Sequence, residues 1–291
     1  MANLSVSRPV MRYHGGKWRL APWIIEHLPA AHRCYVEPFG GAGSVLLRKP
    51  RSFAETYNDL DGDIVNVFRV LRDPEAAERL KIACELTPFA RSEFEAAYEK
   101  AADPVERARR ILIRSWMGHG ASGVRQHRTG FRVNPHRQRT TAAGDWRGWP
   151  EAIESFVDRL RGVTIESRPA IDVMKVHDRH DTLFYVDPPY MFDTRSQKRK
   201  RGDLYHGYNH ELTDQDHIEL IEFLLSVSGM VVLSGYASSL YDAKLLGWRR
   251  AEKEAQADRG APRTEVIWIN PACAEALDRE GRGQQIEMMV G

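Results

Sequence analysis

The stretch HRCYVEPFGGAGSVLL, residues 32–47, constrains the fold of this 291-residue chain more than any other segment. Its apolar residues Tyr35 and Val36 predict a short strand, the glycines that follow predict a tight turn, and residues 45–47 begin a helix. The next segment, FAETYNDLDGDIVNVFRVLR, repeats this order with a strand that ends near Asn58 and a helix behind it. Two successive strand–helix units predict an open α/β sheet.

The same alternation returns after residue 151. The chain continues with the predicted helix PEAIESFVDRLRG and strand VTIES, then the helix IDVMKVH and the strand TLFYVD, then the helix TDQDHIELIEFLLSVSG and the strand MVVLSGY. TEVIWIN and IEMMV are predicted to be the closing strands. We therefore expect a doubly wound, Rossmann-like α/β domain.

Residues 73–150 interrupt the alternation. They begin with predicted helices in PEAAERLKIACEL, SEFEAAYEKA and VERARRILIRSWM, and continue as a glycine- and arginine-rich stretch without a hydrophobic period. Loops of this length are uncommon unless they are functional or disordered. We therefore predict one α/β domain, made of residues 1–72 and 151–291, with a helical and loop-rich insertion between its two parts.

The insertion also concentrates positive charge. The whole chain has a net charge of only +2, but residues 107–150 contain ten arginines and one acid, Asp145, which makes that segment about +9. A second run, RSQKRKRG at residues 195–202, carries five basic residues. Two such runs predict a surface that binds a polyanion. Solvated loops that only aid solubility are the alternative interpretation.

Several other classes of protein are not indicated. The chain has no run of about 18 apolar residues, so no transmembrane helix is expected, and its first residues lack the apolar core of a secretory signal. Cys34, Cys84 and Cys273 are far apart and odd in number, which argues against a disulfide framework or a zinc site and fits a reducing cytoplasm. We expect no metal and no membrane contact.

The stretch LFYVDPPYMF, residues 183–192, places an acid, two prolines and an aromatic residue at the end of an apolar strand. That position is the carboxyl edge of the sheet, where open α/β folds bind ligands. Proline fixes φ and has no N–H, so the backbone carbonyls there are presented rigidly. Asp187 and one such carbonyl can accept both hydrogens of an exocyclic amine, and Tyr190 can stack on the ring, a contact worth about 1–3 kcal/mol. A strand that ends in a rigid turn is the structural alternative.

Together, FGGAGS and DPPY resemble the motifs of S-adenosylmethionine-dependent amino-methyltransferases. The N-terminal MRYHGGKWRLAPWIIEHLP is similar to the opening element of the Dam-like DNA N6-adenine methyltransferases (D12 class, α group), and the order of the elements is that of the α group. DQDHIELIEFL and TEVIWIN resemble later parts of the same family. The resemblance implies a class I methyltransferase sheet. Residues 1–72 would be its cofactor-binding part, residues 73–150 its target-recognition insertion, and residues 151–291 its DPPY part.

The resemblance also implies roles for individual residues. The catalytic set would be Asp187, Pro188, Pro189 and Tyr190. The cofactor would be bound by Tyr13, Gly15, Gly16, Lys17, Glu37, Pro38, Phe39, Gly40, Gly41, Gly43, Ser44, Asn58 and Asp59. In this set Lys17 would meet the cofactor carboxylate and Asp59 the ribose. A surface lysine at position 17 and a turn-capping acid at position 37 are the structural alternatives.

For DNA, the residues expected to make contact come from the two basic runs. They are Arg114, Arg125, Arg128, Arg132, Arg137, Arg139, Arg195, Lys198, Arg199, Lys200 and Arg201. Their guanidinium and ammonium groups suit phosphates, and arginine also pairs with guanine.

The implied function is transfer of a methyl group from S-adenosylmethionine to N6 of an adenine flipped out of double-stranded DNA. N4-cytosine methylation and methylation of adenine in RNA are the alternatives, and an inactive DNA-binding regulator is a more distant one. We expect a monomer or a homodimer in the cytoplasm, associated with the nucleoid and encoded by a bacterium or a phage.

Overall fold

The protein is described by a computed structural model. The residues that it describes are 5–120, 124, 128–133, 140–192, 194, 209–256 and 262–281. Two compact units make up the chain. The first unit contains Met1–Trp18, Gly41–Arg48 and Asp61–Ser167, and the second contains Arg19–Gly40, Lys49–Leu60 and Arg168–Gly291.

Strands and helices alternate at the start of the chain and again from β3 to β5, and a run of helices separates the two parts, as the sequence predicts. The strands are β1 (Cys34–Glu37), β2 (Ala54–Asn58), β3 (Val163–Glu166), β4 (Thr182–Val186), β5 (Met230–Tyr236), β6 (Arg249–Gln256) and β7 (Pro262–Ile269). The helices are α1 (Ala21–Glu26), α2 (Ser44–Arg48), α3 (Gly62–Arg72), α4 (Pro74–Glu85), α5 (Arg91–Ala96), α6 (Pro104–Met117), α7 (Ala142–Arg147), α8 (Ile153–Leu160), α9 (Ala170–His177), α10 (Asp214–Ser226), α11 (Ser239–Lys244) and α12 (Pro271–Arg279), with a 3-10 turn at Pro150–Ala152 before α8.

In the second unit, six strands form a mixed sheet in the order β2-β1-β4-β5-β7-β6. β1 is parallel to both β2 and β4, and β4 is parallel to β5. β7 runs antiparallel between β5 and β6. The Rossmann-like α/β fold predicted from the sequence is confirmed.

The strand order puts a topological switch point between β1 and β4. From β1 the chain goes to β2 on one side, and it returns to β4 on the other side. Cys34 aligns with Thr182 and Val36 with Phe184, so the carboxyl ends of the two strands lie at the same edge. Ligands of open α/β sheets bind in the crevice that such a reversal opens.

The core of the second unit explains the apolar character of β4. Every residue of this strand is buried, as expected for a central strand of a parallel sheet that is covered on both faces. Phe184 and Val186 pack in one cluster with Leu233 of β5 and Leu220 of α10. The helix α10 begins at a capping box, in which Thr213 and Asp216 each bond to the backbone N–H of the other. The strand that carries the DPPY sequence is therefore fixed by its neighbours.

The first unit is mainly helical and also contains β3. Its helices α3, α4 and α6 begin at aspartates whose side chains accept backbone N–H groups, and α6 buries Ile111 and Leu112. The indole N–H groups of Trp116 and Trp149 both donate to the carbonyl of Val10, at 3.2 and 2.8 Å. These buried indoles tie the N-terminal segment to the helices.

Some elements were not predicted. They are the helices α1, α7, α11 and α12 and the charged strand β6. The predicted strand IEMMV lies outside the described residues. The boundaries at residues 72 and 150 remain a prediction, because the first unit joins residues from both sides of them. Within the part of the chain that the structure describes, no helix is long and apolar enough to cross a membrane.

Candidate active site

Asp187 follows directly after β4, at the switch-point edge of the sheet. The Ser234 hydroxyl, on the neighbouring strand β5, donates a 2.7 Å hydrogen bond to Oδ1 of Asp187. The hydroxyl of Tyr185 lies 3.1 Å from the same Ser234 oxygen. Burial and the nearby Asp187 carboxylate raise the pKa of Tyr185 well above its usual range, so this phenol keeps its proton. The carboxylate is thus hydrogen-bonded to the Ser234 hydroxyl, which in turn is hydrogen-bonded to the Tyr185 hydroxyl.

Tyr190 is held by β7. Its hydroxyl donates a 2.8 Å hydrogen bond to Oε2 of Glu265, and only 7% of the residue is exposed. The Tyr236 ring meets it at a centroid distance of 4.6 Å and an angle of 72°, an edge-to-face contact. Burial, with the carboxylates of Asp187 and Glu265, raises the pKa of Tyr190 well above its usual range. Tyr190 is therefore a neutral, fixed ring beside the Asp187 carboxylate.

The turn after the DPPY sequence is also fixed. Thr194 bonds back to the Met191 carbonyl through its hydroxyl at 2.8 Å, and Arg263 of β7 donates to the Thr194 carbonyl at 3.2 Å. The Arg263 guanidinium lies over the Tyr236 ring, 5.3 Å from its centroid. One cation therefore contacts both the turn and the aromatic pair. The basic residues predicted to follow, Arg195, Lys198, Arg199, Lys200 and Arg201, lie outside the described residues.

At the end of β1, Glu37 is buried and accepts a 2.6 Å hydrogen bond from the Tyr35 hydroxyl. Burial and the Glu37 carboxylate raise the pKa of Tyr35 well above its usual range. The interaction holds the Glu37 carboxylate at the carboxyl edge of the sheet. The alternative interpretation is that Glu37 only caps the turn, and this buried contact supports a further role.

Asn58, the last residue of β2, joins two loops at that edge. Its amide Nδ2 donates to the carbonyls of Pro38 and Arg168, each at 2.9 Å, and its Oδ1 accepts the Arg168 N–H at 2.9 Å. The residue is fully buried. These bonds use the amide of Asn58 to position the loops at this edge, and its predicted role in cofactor binding stays a prediction.

The glycine turn after β1 packs closely on β2. The Gly40 N–H donates to the Asn58 carbonyl at 2.7 Å, and a Cβ at Gly40 would overlap the ring of Tyr57. Only glycine fits at this close approach of β1 to β2. Phe39 and Asp59 are half-buried on either side of this turn. A half-buried acid at the end of the second strand is where a ribose is bound in nucleotide-binding α/β folds, so the residues present suit an adenosine-type cofactor.

Other predicted cofactor residues belong to the first unit. Lys17 is 5% exposed and its Nζ donates to the Gly15 carbonyl at 2.8 Å. The alternative interpretation of Lys17 as a surface lysine is therefore wrong. Gly41 has φ of 48°, and a Cβ there would come within 2.9 Å of the Tyr13 ring. That backbone region favours glycine. Gly16, Gly43 and Ser44 lie in the same two segments of the first unit, and Ser44 begins α2.

The predicted DNA contacts in the insertion divide into four groups: one buried arginine, one paired with an acid, one exposed, and three outside the described residues. Arg114 is buried, and its Nη2 lies 4.0 Å from Oδ2 of Asp63. Burial lowers the pKa of its guanidinium. This position inside the protein favours a packing role over DNA contact. Arg132 lies 3.6 Å from Asp145. Arg128 is exposed, with its guanidinium 5.5 Å from the centroid of the Tyr98 ring. Arg125, Arg137 and Arg139 lie outside the described residues.

Comparison with known families decides the class. The family model of the D12 class N6 adenine-specific DNA methyltransferases matches residues 13–247. The chain belongs to this family. The resemblance found in the sequence is thus confirmed, and so are the methyltransferase class and the adenine-specific activity that the family carries.

Several curated relatives are similar to this D12-class chain over most of its length. A DNA adenine methylase of Salmonella typhi is 26% identical over 244 residues, which cover 80% of this chain and 82% of the relative. A DNA adenine methylase of Escherichia coli (strain K12) is 25% identical over 243 residues, with the same shares. The Type II methyltransferase M1.LlaDCHI of Lactococcus lactis subsp. cremoris is 26% identical over 291 residues, 90% of this chain and 95% of the relative.

Among solved structures, a SAM-dependent methyltransferase from Agrobacterium tumefaciens matches with a TM-score of 0.35 and 10% identity. The match covers 87% of this chain and 59% of the other. A likeness of this size adds nothing to the argument from the family.

Four residues of this D12-class site were not found by sequence reasoning. Ser234 and Tyr236 lie in a strand that was interpreted only as apolar, Glu265 lies in a closing strand, and Tyr185 lies next to the motif. The available signal was the polar residue inside an apolar run, Ser234 in MVVLSGY and Glu265 in TEVIWIN. Among the described residues, no group of three or more His, Cys, Asp and Glu side chains could bind a metal ion.

Proposed function

We propose that this D12-class protein transfers a methyl group from S-adenosylmethionine to N6 of an adenine flipped out of double-stranded DNA. The observation that carries the proposal is the Asp187 carboxylate at the end of β4, anchored on Oδ1 by Ser234 and flanked by the fixed ring of Tyr190. A carboxylate and a planar ring at the switch-point edge suit an amine on an aromatic base.

In this mechanism Asp187 and the carbonyl of Pro188 accept the two hydrogens of the adenine N6 amine. Both hydrogen bonds draw the nitrogen lone pair out of conjugation with the ring, so the nitrogen becomes a nucleophile. The methyl group would come from the sulfonium of S-adenosylmethionine: N6 forms the new C–N bond as the methyl–sulfur bond breaks, the neutral thioether S-adenosylhomocysteine leaves, and one N6 hydrogen is released to solvent as a proton. Tyr190 stacks on the base, and Pro189 keeps the turn between the two contacts rigid.

Cofactor binding is proposed for two sets of residues. In the second unit the half-buried Asp59 suits the ribose hydroxyls, while the buried Glu37 and Pro38 and the half-buried Phe39 precede the glycine turn. For the first unit, the family resemblance assigns the carboxylate of the cofactor to Lys17 and to the backbone of Gly15 and Gly16. Burial of Lys17 supports a role inside the protein.

Double-stranded DNA is the proposed partner, because the family acts on DNA adenine. An adenine inside a duplex cannot reach a site at the edge of a sheet, so it must be flipped out. Exposed Arg128 is the described residue best placed among the predicted contacts to meet a phosphate. We propose that the protein is a monomer or a homodimer and that it associates with the nucleoid.

The test is to incubate the protein and S-adenosylmethionine with duplex DNA or with RNA, and to measure modified nucleosides by mass spectrometry. We expect N6-methyladenine in the DNA alone, and long-read sequencing of the product would give the site. N4-methylcytosine, or methylated adenine in the RNA only, would contradict the proposal. A protein that binds no labelled cofactor in equilibrium dialysis would instead be a regulator.

A further inference from the structure

A buried pair of hydroxyl groups lies behind the reacting carboxylate. Ser234 is the fifth residue of β5 and is 2% exposed, and Tyr185 is the residue of β4 two positions before Asp187. Val186 aligns with Leu233 in the parallel pair of β4 and β5, which brings Ser234 beside Asp187. Two adjacent strands thus fix the distances of 2.7 Å from Ser234 to Asp187 and 3.1 Å from Tyr185 to Ser234.

The chemistry of the three groups gives these hydrogen bonds a direction. A serine hydroxyl carries one proton, and an ionised carboxylate can only accept. Because Ser234 donates its proton to Asp187, the Tyr185 hydroxyl must be the donor to Ser234. Burial raises the pKa of Tyr185 well above its usual range, so this donor stays protonated across the working pH range.

We propose that Tyr185 and Ser234 are positioning residues that form a directed relay, Tyr185 to Ser234 to Asp187, and so set the plane of the carboxylate that receives the N6 amine. The relay touches neither base nor cofactor. It holds one oxygen of Asp187 and, because each hydrogen bond polarises the next, it also stabilises the charged carboxylate. This inference rests on the proposed function, since it assigns the relay to the amine-binding step.

The experiment compares wild type with Ser234→Ala, Tyr185→Phe and Ser234→Thr in single-turnover methylation of duplex DNA. Loss of a hydrogen bond to a charged group costs about 1.5–3 kcal/mol, so we expect S234A to slow methyl transfer by about 10- to 150-fold. Y185F keeps the Ser234 link and should slow it less, by about fivefold, while S234T keeps the hydroxyl and should retain most of the rate.

Two further measurements separate positioning from a general structural defect. The dissociation constants of cofactor and DNA should change by less than about twofold, since the relay contacts neither. Rescue is the second measurement: S234T, which restores the hydroxyl donor, should recover most of the rate that S234A loses, whereas a general packing defect would not be repaired. The matched control is Ser155→Ala, which removes another buried serine hydroxyl that donates to the Ala152 carbonyl of the first unit. We expect S155A to keep the wild-type rate.

The outcomes distinguish the relay from the function on which it rests. An active wild type whose S234A variant is folded, by its melting curve, and equally fast would overturn the relay alone. If S234A does not fold, Y185F decides, and an unchanged rate in Y185F overturns the relay. A wild-type protein that methylates no adenine overturns the proposed function and the relay with it.

Discussion

At the scale of single residues, each reactive side chain of the DPPY motif is held by a residue from another strand. Asp187 is bonded to Ser234 of β5, and Tyr190 is bonded to Glu265 of β7. The ring of Tyr190 must lie parallel to the base to stack on it, so the hydrogen bond of its hydroxyl sets the angle of the stacking surface. We therefore expect that loss of Glu265 disturbs the stacking of the base on Tyr190, although Glu265 itself does not contact the base.

We predict that Glu265→Ala lowers the single-turnover rate by about tenfold. The substitution leaves the buried Tyr190 hydroxyl without its acceptor, which costs about 1–3 kcal/mol. Glu265→Gln keeps an acceptor oxygen and should retain most of the rate. The measurement is methyl transfer, together with the fluorescence of 2-aminopurine at the target position as a report on base flipping.

The matched control for Glu265 is Glu252→Ala, on the neighbouring strand β6, where the exposed Glu252 pairs with Arg250. This control should behave like wild type. An E265A protein with the wild-type rate, or an E265Q protein as slow as E265A, would contradict the role given to the hydrogen bond.

The motif residues could be predicted from the sequence because Asp-Pro-Pro-Tyr is local, whereas their supports could not. Which residue of β5 faces Asp187 depends on the register of two strands that are separated by 43 residues of chain between Val186 and Met230. Without knowledge of how the strands pair, Ser234 is only a serine in an apolar strand. The sequence therefore allowed Asp187 and Tyr190 to be picked out as candidates, whose roles stay predictions, but not the side chains that hold them.

At the scale of elements, Asn58 joins the end of β2 to the loops that follow β1 and β3. Its three buried hydrogen bonds reach Pro38 and Arg168, and its own carbonyl accepts the Gly40 N–H. The glycine turn proposed to bind the cofactor is thus shaped by a side chain that we expected to bind the cofactor itself.

We predict that Asn58→Ala lowers the free energy of unfolding by about 2–4 kcal/mol, because it leaves buried partners unsatisfied. The same change should weaken cofactor binding, since the turn loses its support. Urea unfolding and equilibrium dialysis measure the two effects. The control Asn66→Ala removes an exposed bond to the Pro104 carbonyl and should cost under about 1 kcal/mol. Equal unfolding midpoints for N58A and wild type would contradict this prediction.

The strand β6 was missed because its sequence has no hydrophobic alternation. β6, with the sequence RRAEKEAQ, lies at the edge of the sheet and buries only Ala251 among residues 249–255, so its sequence lacks the alternation of a half-buried strand. Charged side chains on an edge strand prevent further pairing with another chain. Because these residues are charged, the strand also lacks the hydrophobic pattern by which strands are predicted. Only its pairing with β7 makes it a strand.

At the scale of the whole molecule, the positive charge of the basic segment, residues 107–150, is partly neutralised by acids outside it. Several of its arginines pair with acids that lie outside the basic segment: Arg107 with Asp63, Arg109 with Glu93 and Glu106, and Arg110 with Glu106 and Glu99. The arginine contacts lower the pKa of Glu106. A charge count of this segment alone misses these acids: Glu106 precedes the segment in the same helix, α6, and the other acids come close to it only through the packing of the fold.

We predict that Arg128→Ala weakens DNA binding and reduces the salt dependence of binding by about one phosphate contact, because its guanidinium is exposed. The measurement is DNA affinity by fluorescence anisotropy over a series of salt concentrations. Arg109→Ala is the control, since the arginine it removes is paired within the first unit. It should lower stability and leave the salt slope unchanged. An R109A protein that loses as much affinity as R128A would contradict this assignment.

The account as a whole depends on Asp187, and the most direct measurement is single-turnover methylation of duplex DNA by Asp187→Ala, with cofactor binding measured on the same protein by equilibrium dialysis. We predict that the rate falls by at least about a hundredfold, since the amine loses the group that orients it. Cofactor affinity should stay largely intact. An Asp187→Ala protein that methylates N6 of adenine at the wild-type rate would contradict the central claim.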